Sequence, residues 1–532
     1  MSRLRSLWLV APLLVGACSF INAPDEIDPG TGGGGSGGGT GGTTTTSETT
    51  SSSTTSDTTP PDECGDGKRT GAEGCDDDNV AAGDGCSATC EREAGFTCVE
   101  DSSGLSACTK DCGNGALDAG EECDDGGDDD TNPAAGDQDP CTDTCTLKEI
   151  DIEANDMMVG NEFPTMGFRR DKDSDDVEHP AFFTIWHTTV PNKIRGREYK
   201  FDGLPLKGTG SDDFSGTTIP DAAGHVMCTA PSNRSLVFWR DTDEQKVYAK
   251  KIESDGKLQP SVGTNIPVVE GSPVCAASPD PNTFIVAAIG GTAANKDVFV
   301  QPFTSFALPM GSPIDIGDTT VAQEIAAWPL FNGFIVSWSP DPFNAAPYVA
   351  VALDKNGGLP MDAMSLTMSD PVDVAVREPF GARIGTTDTD NSSVFGYTRQ
   401  APDMHREVVI RIFAWPNPMM PPMPGPPIVV SLDTNQQSQP RIAVNPQNGS
   451  FIVVWTAVAP GGENVLYRTF DNKGVATSPE TIAPEILIGK QTFPAVAVDP
   501  ASGDVAISWG SDNPSDTKPA RIAAKIFRGL LK

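Results

Sequence analysis

The sequence predicts an all-β protein: a seven-bladed β-propeller preceded by a disulfide-rich, loop-dominated module and a disordered tether. Three observations lead there. After Lys148, apolar runs of five to seven residues appear between Pro, Gly, Asp and Asn, and no 3.6-residue period competes with them. These runs recur seven times as a unit of about 50–60 residues, a repeat length typical of propeller blades. The 532 residues also include 55 Gly and 45 Pro, which demand extensive turn-rich backbone.

The N-terminus reads as an address. Arg3 and Arg5 precede an apolar run, Leu7 to Val15, too short to span a bilayer. The run ends Val15-Gly16-Ala17-Cys18, which resembles a bacterial lipobox. The resemblance implies a signal peptide over 1–17, cleavage before Cys18 and acylation of that residue. Several acyl chains would then anchor the chain to a membrane, each buried CH2 adding roughly 0.8 kcal/mol. Ser19 after the Cys points to the outer membrane or cell surface. Residues 18–61 form the tether. From Gly30 to Thr59 every residue but Glu48 and Asp57 is Gly, Ser or Thr, so nothing there can pay for ordering the chain. Its mean reach is roughly 35 Å.

Residues 62–148 form a cysteine-rich module with ten cysteines: Cys64, Cys75, Cys86, Cys90, Cys98, Cys108, Cys112, Cys123, Cys141 and Cys145. The order Cys64-x10-Cys75-x10-Cys86-x3-Cys90 returns as Cys112-x10-Cys123-x17-Cys141-x3-Cys145. Cys64-Gly65-Asp66-Gly67 matches Cys112-Gly113-Asn114-Gly115, and Glu73-Gly74-Cys75-Asp76-Asp77 matches Glu122-Cys123-Asp124-Asp125. With Gly83-Asp84-Gly85-Cys86, these texts resemble the Myxococcus cysteine-rich repeat of the DUF4215 type. The second copy departs from it, with seven extra residues before Cys141 and Gln138-Asp139-Pro140 in place of Gly-Asp-Gly.

Thirteen cysteines in all indicate an oxidising compartment. With Cys18 lipidated, the ten of the module imply five disulfides, Cys98 with Cys108 being the favoured local pair across a short turn. Zinc at Cys86-x3-Cys90 or Cys108-x3-Cys112 is disfavoured, because secreted thiols oxidise first. Cys228 and Cys275 remain. They sit on the first strands of consecutive repeats, which are expected to splay apart, so both are expected as buried free thiols.

Acid concentrates in the module, with 25 acidic against 5 basic residues between Asp62 and Ile150. Asp76, Asp77, Asp78 and Asp84 cluster in one copy, and Asp124 and Asp125 begin the cluster of the other. Crowded carboxylates on cross-linked loops suit structural Ca2+ at about millimolar affinity; a solvated acidic surface is the competing reading. Asp171, Asp173 and Asp175 form a further alternating run with the same two readings.

Residues 149–532 carry the repeats. The clearest unit runs Pro440 to Pro446, Phe451 to Trp455, then Val465 to Asp471. The second strands end at Trp186, Trp239, Ala288, Trp338, Tyr397, Trp455 and Trp509, and the third strands at Phe201, Ile252, Phe303, Leu353, Phe413, Phe470 and Phe527. The second strands are apolar on both faces, as expected of strands sandwiched between blades. The unit also resembles repeats of bacterial secreted propeller-like proteins. The last repeat stops after its third strand, so residues 150–158 are expected to return as its outer strand and close the ring.

No HExxH, Walker loop or Ser/His/Asp grouping is apparent, and only four His are present. Ser502-x-Asp504 with Trp509 partly matches a sialidase Asp-box, but Ala506 replaces its glycine and the position is wrong. The Met419, Met420 and Met423 stretch reads as an extended Pro-rich insertion rather than a copper site. A net charge of −37 repels nucleic acid. The expectation is a non-enzymatic binding or scaffold protein with an unknown protein or polysaccharide ligand. The alternative is a secreted propeller enzyme, a glycan lyase or hydrolase with carboxylates in its channel.

Overall fold

The computed structural model describes residues 64–110 and 145–532, apart from short interruptions in both spans. The chain divides into Met1–Pro61 and Asp62–Lys532, and all described residues lie in the second unit. Among them there is no helix.

The cysteine-rich module has cystines where a larger domain has apolar side chains. Cys75, Cys86 and Cys90 are buried, with Cys64, Cys98 and Cys108 packed around them. The bonds are Cys64–Cys90, Cys75–Cys86 and Cys98–Cys108, the last across an antiparallel pair, Phe96–Glu100 with Ser106–Lys110. A segment this polar is held chiefly by restricting its unfolded chain. Cys145 is also disulfide-bonded, whereas Cys112, Cys123 and Cys141 lie outside the described residues.

The propeller strands follow one another in order from Val159 to Phe527 and pair antiparallel except at one junction. The expectation of seven separate blades is corrected: the strands form five hydrogen-bonded sheets. Three sheets hold one repeat each, and two are fusions. In the seven-stranded sheet the strand Val262–Ala277 is continuous. Its start pairs with Lys246–Ala249 of one repeat, and its end, Val268–Ala277, pairs with Phe284–Gly290 of the next. In the largest sheet, Gly462 and Glu463 pair in parallel with Gly489 and Lys490. Gly462 has φ +145°, and a Cβ there would lie 1.7 Å from the Gly489 carbonyl oxygen, so only glycine permits this junction.

Side chains between neighbouring sheets build the core. The second strand Gly333–Ser339 is buried throughout, and Trp186, Trp239, Trp455 and Trp509 are completely enclosed. Trp455 Nε1 donates to Gln437 Oε1 at 2.8 Å, satisfying its one polar atom. The first strands touch in sequence order, and the last touches the first. Ile150–Asp151 completes the closure, pairing with Ala524 and Ala523 of the final strand. Ile152 N–H then donates to Ile522, and the Ile152 carbonyl accepts from Arg197 Nη1 and the Tyr199 hydroxyl. The rest of the expected closing strand, 153–158, lies outside the described residues.

The free thiols expected at Cys228 and Cys275 are a second correction. The two form a disulfide, with Cα atoms 6.0 Å apart. Radiating blades separate with distance from the axis, so their first strands are where they approach most closely. Met227 and Thr229 likewise stand against Gly167 of the preceding repeat.

Candidate binding site in the central channel

The first strand of each sequence repeat is interrupted at one point. Register breaks fall between Glu162 and Thr165, Ala223 and His225, Glu270 and Val274, Gln323 and Ile325, Arg377 and Phe380, Ser438 and Arg441, and Thr492 and Ala495. Within each break one residue has a left-handed φ: Phe163 (58°), Gly224 (56°), Gly271 (75°), Glu324 (43°), Glu378 (55°), Gln439 (56°) and Phe493 (55°). A bulge of this kind bends the strand and re-aims a side chain. Here all seven residues line one central cavity of about 780 Å³.

Three of the side chains link the repeats. Glu324 Oε2 accepts the backbone N–H of Glu378 at 2.8 Å, Glu378 Oε1 accepts that of Gln439 at 3.0 Å, and Gln439 Oε1 accepts that of Phe493 at 2.7 Å. Each acceptor takes a hydroxyl as well: Tyr348 on Glu324 (2.6 Å), Thr398 on Glu378 (3.1 Å) and Thr456 on Gln439 (2.9 Å). From Phe493 to Phe163 the link is aromatic, with ring centroids 4.2 Å apart. Left-handed φ at bulky residues costs about 1–3 kcal/mol each and persists only where surrounding bonds enforce it. This relay supplies such bonds.

Burial, with the nearby Glu324 charge, holds the Glu378 carboxyl above its usual range against its hydrogen bonds and Arg441. Burial lowers the Arg441 guanidinium, opposed by Glu378. Burial and Glu324 push the Tyr348 hydroxyl well above its ordinary value, keeping it a donor. His225 is pushed down to about 4 by burial and by His187, despite its bonds to the Ile185 and Phe163 backbone. Folded His225 is therefore neutral at pH values where the unfolded residue, at 6.5, takes up a proton. Stability is accordingly expected to fall as pH drops from about 6.5 to 4 by about 3 kcal/mol from this residue, at 1.36 kcal/mol per pKa unit. Urea unfolding of the wild type and His225→Gln across this range checks it: the stability difference between them should change with pH, and a constant difference would refute the assignment.

Of the expected calcium ligands, Asp77 and Asp84 stand side by side, whereas Asp76 and Asp171 have protein partners. Asp76 is buried, and its carboxylate already accepts the N–H groups of Gly65 (2.9 Å), Asp66 (3.2 Å), Gly67 (2.9 Å) and Asp78 (3.0 Å). Burial alone would raise its pKa, but these four bonds outweigh it and the net shift is downward. With four N–H groups on its two oxygens, it clamps the loop. Asp77 is half-buried and shifted upward by burial and by the Asp84 charge, while Asp78 and Asp84 are exposed. Glu73, Asp76 and Cys90 lie within 4.8 Å of one another, but Cys90 is bonded to Cys64 and has no thiolate to offer. Asp171 is buried against Arg169 at 2.6 Å rather than facing a loop cation. Cys18, Asp124, Asp125, Asp173 and Asp175 lie outside the described residues.

The Asp-box-like residues are structural. Asp504 binds Arg528 Nη1 and the Gly529 N–H, both at 2.7 Å, and Ser502 donates to Asp499 at 2.8 Å. Met423 lies exposed in a short extended pair with Ala414. Sequence reading missed Glu324, Glu378, Gln439 and Arg441. For Glu378 and Gln439 the available signal was the residue before proline at the start of a first strand, shared by Phe163-Pro164 and Phe493-Pro494; Glu324, before Ile325, and Arg441 carry no such mark.

Among solved structures, the chain is similar to a protein of unknown function from Dyadobacter fermentans (10% identity, 70% of this chain and 95% of that one, TM-score 0.43). It is similar to the GH93 α-L-arabinofuranosidase of Fusarium graminearum (11%, 59% and 96%, TM-score 0.39) and to the Aleuria aurantia lectin (10%, 61% and 98%, TM-score 0.36). No family model and no curated protein matches the chain.

Proposed function

We propose that this is a lipid-anchored, surface-displayed binding protein whose seven sequence repeats form one ring around a ligand-binding channel. Cys18 is the anchor, residues 18–61 the tether and the cysteine-rich module a stiff spacer that carries the propeller outward. The observation carrying the binding reading is that the channel acids already have partners. Glu378 has both oxygens hydrogen-bonded, and one oxygen of Glu324 takes two donors. Acids fixed in this way stiffen a recognition surface and are poorly placed to exchange protons with a substrate.

A second reading has its own support: Glu378 is a channel carboxyl with a raised pKa beside Glu324, as a glycoside-cleaving acid would be. Incubating the purified protein with a panel of neutral and acidic oligosaccharides separates the two. Retention of a sugar without products is expected. Turnover that disappears in Glu378→Gln would replace the binding reading with a hydrolase or lyase.

A further inference from the structure

The channel relay is half complete, and its open half matches one ligand chemistry. From Glu324 round to Phe493, a carboxyl or amide oxygen of each ring residue meets the backbone N–H of the next. Phe493, Phe163, Gly224 and Gly271 carry no side-chain oxygen, so the bulges that follow them receive none from the ring. The protein thus displays in three repeats the group its bulges accept, a planar oxygen acceptor, and leaves the remaining positions without it.

Arg441 follows Gln439 on its strand and lines the same cavity, near the Glu378 charge. Its surface is accessible to water within the channel, while protein surrounds it on all sides and shields it from bulk solvent. Its one hydrogen bond among the described residues goes from Nη1 to the Pro440 carbonyl at 2.8 Å. A guanidinium with most of its donors facing a cavity suits a carboxylate, which it can grip with two parallel bonds. The next two repeats present the Phe493 and Phe163 rings, and Phe163 is 44% exposed. The cavity, about 780 Å³, falls within the range of small-ligand clefts.

We propose that the channel is a subsite for an acidic sugar, with Arg441 holding the carboxylate and the Phe163–Phe493 pair carrying the apolar face of the sugar ring. This rests on the binding reading above and names its ligand class.

Calorimetric titration of the full-length protein with trigalacturonate and with neutral maltotriose tests it. Trigalacturonate is expected to bind at least about tenfold more tightly, with affinity falling as salt rises. R441Q should lose about tenfold or more for trigalacturonate and change little for maltotriose. If R441Q does not fold, R441K serves, keeping the charge and losing the planar fork; a clear loss is again expected. Equal affinity for the two sugars, binding of neither, or unchanged trigalacturonate binding in the arginine variant overturns the subsite. Product formation from either sugar overturns instead the binding reading on which it rests.

Discussion

Replacing both Ile150 and Ile152 with alanine is expected to destabilise the entire ring by about 4–10 kcal/mol, at roughly 2–5 kcal/mol for each buried isoleucine. The two side chains are buried among Trp186, Tyr199 and Ile522, so they fill the seam between the first and last repeats. They also hold the strand that satisfies the last repeat's outer edge. Alanine leaves voids that the crossing Arg197 and Tyr199 bonds to the Ile152 carbonyl prevent from collapsing. Urea unfolding followed by tryptophan fluorescence checks this, because the enclosed tryptophans are distributed round the ring. The single main transition should move to lower urea. A small early transition with an unchanged main midpoint would mean that the segment is an appendage and the ring closes without it.

What was legible in the sequence follows from which contacts are local. The alternation around Phe451 to Trp455 and the repeated aromatic at the end of each second strand report burial between sheets. Burial acts on side chains one repeat at a time, so it leaves a readable trace. The closing strand was legible because the last repeat ends one strand short. The fusion of repeats was not. The strand Val262–Ala277 carries a left-handed bulge at Gly271, yet its two ends pair with strands of different repeats. The loop-holding role of Asp76 was hidden for a related reason. A carboxylate among glycines looks like a cation ligand, and only the folded loop reveals that Gly65, Asp66, Gly67 and Asp78 aim their N–H groups at it. The channel residues were missed because they do not share a chemical type. Phe, Gly, Glu and Gln occupy one backbone position, and the common property is a left-handed φ.

Removing the Cys228–Cys275 disulfide is the other large expected effect, and the channel relay explains why the bond sits where it does. Between the fourth and seventh repeats, side-chain oxygens of Glu324, Glu378 and Gln439 tie each first strand to the next. The junction between the second and third repeats has no such tie, because its ring residue is Gly224. Nothing larger fits there: a Cβ would lie 2.2 Å from Ser272 Oγ. The disulfide joins the same two first strands. It closes a loop spanning 47 residues, for which chain entropy gives about 4 kcal/mol at 25 °C. Cys228→Ala/Cys275→Ala is therefore expected to lower stability by about that amount, and alanine suits the apolar cluster of Phe238, Val286 and Phe303 around the bond. The double variant is preferable to a reductant, which would also open the disulfides of the cysteine-rich module. Equilibrium unfolding in urea measures the loss. If the variant falls within about 1 kcal/mol of the wild type, the bond is incidental and the glycine junction is secured by packing alone. A loss near the expected value would make the ring's integrity depend on an oxidising compartment, the setting implied by the cysteine count.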